Sequence, residues 1–138
     1  MAQKDLHNNI KVSRAISPTR ATDNTALVSQ IIDTQGYESL EFAIAVGTIA
    51  DADATFATTM DEGDASNLAG SNAVAAADLL GSYAGSSFVF SNDDTVYKLG
   101  YRGTKRYVRL TITPSLNTGN ADISALAIQS HARHAPVA

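Results

Sequence analysis

Leu40, Phe42, Ile44 and Val46 alternate with Glu41, Ala43 and Ala45. A second run, residues 104–113, sets Arg106, Val108, Leu110 and Ile112 against Tyr107, Arg109, Thr111 and Thr113. A period of two places alternate side chains on opposite sides of an extended backbone. Both runs therefore predict half-buried strands. Shorter strands are expected at residues 26–33, 55–60, 86–90, 95–101 and 121–129, with turn chemistry between them. Asp61-Glu62-Gly63-Asp64 is expected to turn the chain. Ser91-Asn92-Asp93-Asp94 is expected to close a hairpin, and Pro114 to end the second alternating run. No long amphipathic helix is present, which argues against a βαβ fold. About eight short strands at this spacing predict an all-β fold: an antiparallel two-sheet sandwich, jelly-roll-like.

The 138 residues suffice for one domain with a core. Alanine is abundant, so that core is expected to be thin and rich in small side chains. Residues 1–25 are polar, with a short alternation (Ile10, Val12, Ile16) that Pro18 interrupts; they read as an extended N-terminal arm with one short strand. Residues 26–130 form the sandwich and residues 131–138 a C-terminal tail. Residues 65–86 are low in complexity. Residues 73–80 could form two helical turns, or a loop with Leu79 and Leu80 as a plug.

The chain carries a net charge of −4, unevenly spread. Residues 21–97 hold twelve of the fourteen acids and no Lys or Arg; all ten bases lie in residues 1–20 and 98–138. Two arrangements fit. The ends could fold back over the acidic middle, or opposite charges could occupy different faces and favour association. An acidic chain is not expected to bind nucleic acid. No apolar run reaches the roughly 18–20 residues of a membrane span, so no membrane association is expected. The first seven residues lack the apolar stretch of a secretory leader, so synthesis in the cytoplasm is expected.

Catalytic patterns are missing. There is no cysteine, no Gly-x-Ser-x-Gly elbow and no phosphate-binding loop. His7, His131 and His134 lie near the termini, away from strand positions that could hold a metal in a barrel. Asp51 with Asp53, and Asp61 with Glu62 and Asp64, read as solvated turns and lack calcium-loop spacing. No enzyme activity, metal, cofactor or small-molecule substrate is expected. The densest constellation is Tyr97, Lys98, Tyr101, Arg102, Lys105, Arg106, Tyr107 and Arg109. Tyrosine and arginine bury large areas while keeping directional donors, so this cluster is a candidate protein interface. Equally, it could consist of cross-strand pairs that stabilise the sheet. Lys11 and Arg14 on the arm join it as candidate contact residues.

One series of strings carries a resemblance. It comprises Asp51-Ala52-Asp53-Ala54-Thr55-Phe56, Asp61-Glu62-Gly63-Asp64-Ala65-Ser66-Asn67, residues 74–81, and the run from Lys98-Leu99-Gly100-Tyr101 to Thr111. It resembles the capsid cement (head decoration) proteins of tailed bacteriophages, most of all the short-tailed-phage type. That resemblance implies a jelly-roll-like fold and a homodimer on the outer surface of the virion. Such a dimer clamps neighbouring major capsid protein subunits of an HK97-like shell, without catalysis or cofactor. It maps no individual contact residue. A carbohydrate-binding β-sandwich of a phage receptor-binding structure is the alternative that fold and exposed tyrosines would also suit, although the chain lacks tryptophan.

Overall fold

The computed structural model describes residues 4–134 and Pro136. Among the described residues eleven strands are formed: β1 (Ile10–Ala21), β2 (Leu27–Val28), β3 (Ile32–Asp33), β4 (Tyr37–Ile49), β5 (Thr55–Gly63), β6 (Asn72–Ala73), β7 (Leu79–Leu80), β8 (Phe88–Val89), β9 (Val96–Tyr101), β10 (Tyr107–Ser115) and β11 (Ala121–Ala132). A short α-helix, α1 (Tyr83–Ser86), precedes β8, and single 3-10 turns form at His7–Asn9, Ala76–Asp78 and Phe90–Asn92. The first sheet runs β1-β11-β4-β9-β7. The second runs β2-β10-β5-β6, with β3 beside β10 and β8 beside β5. Every pairing is antiparallel. The chain is an all-β, two-sheet sandwich, jelly-roll-like, as the alternation predicts.

The core lies between the sheets. Leu40, Phe42, Ile44 and Val46 of β4 meet Val108, Leu110 and Ile112 of β10, with Phe56 and Met60 of β5. Each such side chain contributes roughly 1.5–3 kcal/mol on burial. The centre is not built of small residues. Phe88 stacks on Phe56 with ring centroids 5.0 Å apart and on Tyr97 at 5.7 Å, so three rings bridge the two sheets. Alanine fills the inward side of β11, where Ala121, Ala125 and Ala127 are buried beside Ile123.

Several local expectations need correction, each for an identifiable reason. The strand in residues 1–25 does not stop at Pro18. It runs twelve residues along β11, and its Ala15 and Ile16 are buried in the core. Pro18 is tolerated because β1 is the end strand of its sheet, where one side needs no N–H donor. Pro114 likewise continues β10. It lies opposite Phe56, beyond the Thr111–Ile112 pairs where β2 ends. Residues 26–33 form two strands, because Ser29 interrupts them. Its buried hydroxyl accepts the Leu110 N–H at 2.9 Å and donates to Gln30 O at 2.7 Å.

Asp61, Glu62 and Gly63 are strand residues, not a turn. Asp61 faces Arg109 across the β5–β10 ladder, so the acidic run has a basic neighbour. Ser91-Asn92-Asp93-Asp94 closes no hairpin: β8 belongs to the second sheet and β9 to the first, and the segment carries the chain between them. In residues 73–80 the loop reading holds for Leu79, which is buried, whereas Leu80 is exposed. The last strand extends to Ala132; Ala135, Val137 and Ala138 of the expected tail lie outside the described residues.

Candidate protein interface

The two outer faces of the sandwich differ in chemistry. On the second sheet, Thr55, Thr59, Thr111, Thr113 and Ser115 point outward around Ala57, with exposed Val28 and Val89 at the rims opposite Thr111 and Thr55, and Tyr107 and Arg109 at one end. This hydroxyl-rich face suits water, the usual state of an antiparallel sheet's outer side. The first sheet carries a different set. Its register aligns Val12, Ile128, Glu41, Gly100 and Leu80 in one row across the strands. Arg14, Leu126, Ala43 and Lys98 form the next, and Ser124, Ala45 and Val96 a third. Val12 is 52% exposed, Leu80 49%, Val96 69% and Leu126 46%. With strands about 4.8 Å apart, the rows span a face roughly 20 Å wide. These exposed apolar side chains are interleaved with Arg14, Glu41 and Lys98, which makes the face a candidate interaction surface.

Glu41 is the acidic side chain within these rows. Its carboxylate lies over Gly100, where an added Cβ would fall 2.5 Å from Oε2. Burial holds its carboxyl above the usual range, and nearby Lys98 acts in the opposite direction. Gly100 thus provides the room that lets this side chain lie flat on the sheet.

The tyrosines and bases singled out in the sequence are distributed otherwise. Tyr97 and Tyr101 point into the sandwich, Tyr97 in the aromatic stack and Tyr101 only 5% exposed. Tyr101 Oη donates to Glu62 Oε2 at 2.5 Å and accepts the Lys105 N–H at 2.9 Å. Arg102 Nε donates to Ala77 O at 2.9 Å. Arg106 makes a two-pronged pair with Asp33, both contacts 2.9 Å, and its guanidinium lies 5.0 Å from the Tyr107 ring. Asp33 is accordingly held below the usual carboxylate range. Lys105 pairs with Asp64 at 2.7 Å and Arg109 with Asp61 at 3.7 Å. Lys11 stands 5.8 Å from the Tyr37 ring, and Arg14 lies against the Gln30 side-chain amide. Of the expected cluster, Arg14 and Lys98 lie on the first sheet's outer face, Tyr97 and Tyr101 point inward, Tyr107 and Arg109 lie on the second sheet's outer face, and Lys105 and Arg106 pair with acids of this chain.

The charge pattern resolves in the same way. Arg133 pairs with Glu38 at 3.4 Å, so Lys105, Arg106, Arg109 and Arg133 each bind an acid of the 21–97 segment. The basic C-terminal part folds back over the acidic middle. A surface cleft of about 430 Å³ lies between Thr34–Tyr37 and Gly103–Arg106, and the bases lining it are those same paired residues. Among the described residues, no three His, Asp or Glu side chains form a metal-holding group, and no helix is long and apolar enough to cross a membrane.

The Tyr101 hydroxyl gives a pH prediction. Burial, and then its bond to Glu62, push its pKa well above the ordinary 10.0. The phenol stays neutral in the fold while the unfolded chain ionises near pH 10. Its contribution is therefore complete below pH 10 and is lost as pH rises beyond it. Tyr83 is shifted the same way by burial. In urea unfolding followed from pH 8 to 11.5, stability should fall above pH 10, less steeply for Tyr101→Phe. At pH 7 that variant should lose about 1–3 kcal/mol, because Glu62 and the Lys105 N–H lose their shared partner.

The apolar face was missed in the sequence because its residues alternate with core residues of similar type. A signal existed in β11, where Leu126 and Ile128 are apolar on the side opposite Ile123, Ala125 and Ala127.

No family model and no curated protein matches the chain. Among solved structures, it is similar to a chain in the structure of infectious bursal disease virus, Gx strain. The TM-score is 0.51 and the identity 13%, over 93% of this chain and 33% of that one. The chain thus spans about a third of that neighbour's length. At this identity the likeness is one of fold: a jelly-roll-like sandwich found in a virus.

Proposed function

We propose that this chain is a structural protein of a virus particle, a capsid cement or decoration protein. In this reading it sits as a homodimer on the outside of an HK97-like phage head and holds neighbouring major capsid protein subunits together. The observation that carries the reading is the contrast between the two sheets: one outer face gathers Val12, Leu80, Val96 and Leu126 among a few charges, whereas the other is mainly hydroxyl-lined, with exposed valines only at its rims. A sandwich with one adhesive side is suited to lying on a shell. The fold likeness to a virus chain and the sequence resemblance to cement proteins point in the same direction. Many copies of a modest contact multiply through avidity, so no single site need be tight.

The test is to assemble shells from the major capsid protein encoded with this chain, with and without it. The chain should co-sediment with shells, and decorated shells should survive heat and osmotic shock that rupture bare ones. Absence of binding, or equal survival, would overturn the proposal.

A further inference from the structure

The first sheet ends on one side in β7, two residues long, and on the other in β1, twelve residues long. Native edge strands are usually short or blocked. The upper part of β1 is blocked: Gln30 N–H donates to Ala15 O at 2.9 Å, the Gln30 amide reaches Arg14 O, and the register with β11 shifts between Arg14 and Ile16 and again before Thr19. Residues 10–13 differ. They pair one-to-one with residues 127–130 of β11 without a bulge, and among the described residues no strand lies along their other side. This edge is flanked by Lys11 and Arg14, both exposed and, among the described residues, neither within ion-pair distance of a carboxylate.

We propose that residues 10–13 form a strand-addition site for an extended acidic segment of a partner protein. Backbone donors and acceptors along the edge would supply affinity, as in other strand additions. The two bases would select the occupant. An antiparallel second β1 centred on this stretch would bring Lys11 and Arg14 of one copy alongside the same two bases of the other, and like charges on neighbouring strands repel. Lys11 pairs opposite Gln129 and Arg14 opposite Leu126, on the two faces of the strand, so a segment with acidic residues on alternate positions would set them against one of the two bases, according to the face it presents. The inference stands on the edge itself and does not depend on the capsid reading.

The experiment uses the full chain and two fluorescent eight-residue peptides, one of alternating valine and glutamate, the other of alternating valine and lysine. Anisotropy measures binding and residue-resolved amide exchange locates it. The glutamate peptide should slow exchange at alternate amides of residues 10–13, and the lysine peptide should bind about tenfold more weakly. Lys11→Glu with Arg14→Glu should reverse that preference; Lys11→Gln with Arg14→Gln should abolish it with little strain on the fold. No protection of these amides at saturating peptide, protection centred instead on Val96 and Leu126, or equal binding of both peptides would overturn the proposal.

Discussion

Replacing Leu126 and Val96 together with glutamate is expected to abolish shell binding while leaving the fold intact. Both side chains lie on the outer face of the first sheet and are largely exposed, Val96 at 69% and Leu126 at 46%. A charge there stays hydrated in the free protein, so the melting temperature should hardly move. In the complex the same charge must leave water against an apolar surface. Central interface residues cost 2 kcal/mol or more on truncation alone, and an unpaired buried charge adds to that. Binding should therefore weaken by roughly a hundredfold or more. Thr59→Glu with Ser115→Glu, an equal change of charge on the other face at positions that are not cross-strand partners, should leave binding within about twofold. Co-sedimentation of the two double variants, beside thermal melts, measures the difference. Equal loss from both faces would mean that total charge governs attachment, and not this surface.

The largest effect on stability is expected from Phe88→Ala. Phe88 is 2% exposed and stands between Phe56 and Tyr97, so its loss opens a cavity where the two sheets are bridged. Truncating a buried phenylalanine costs about 3–5 kcal/mol. For a chain of this length that lowers the melting temperature by roughly 10–20 °C. Phe90→Ala, two residues along but 41% exposed, should shift it by only a few degrees. Calorimetry on both variants checks this. A small loss at Phe88 would mean that the aromatic stack is not a principal tie between the sheets.

The parts of this fold that were legible in the sequence are those governed by local period. Leu40 to Val46 and Val108 to Ile112 declare a buried face by alternation alone, and their strands form where expected. The misread parts depend on position within a sheet. Pro18 and Pro114 look like strand breakers until their edge positions are known. Asp61 to Gly63 looks like a turn until Arg109 is placed opposite. Whether Arg106 faces solvent or Asp33, 73 residues away, is a tertiary fact that no local pattern carries. The apolar face was hidden for a related reason. Val12, Leu126 and Val96 come from three segments and become a patch only when register places them side by side.

Cryo-electron microscopy of decorated shells tests the central claim most directly, because it shows which face of the sandwich meets its neighbour. The account predicts density on the shell exterior with Val12, Leu126, Ala43 and Val96 turned into contact and the Thr55–Thr111 face toward solvent. Density in which the threonine face meets the neighbour, while the apolar rows stay open to water, would contradict it.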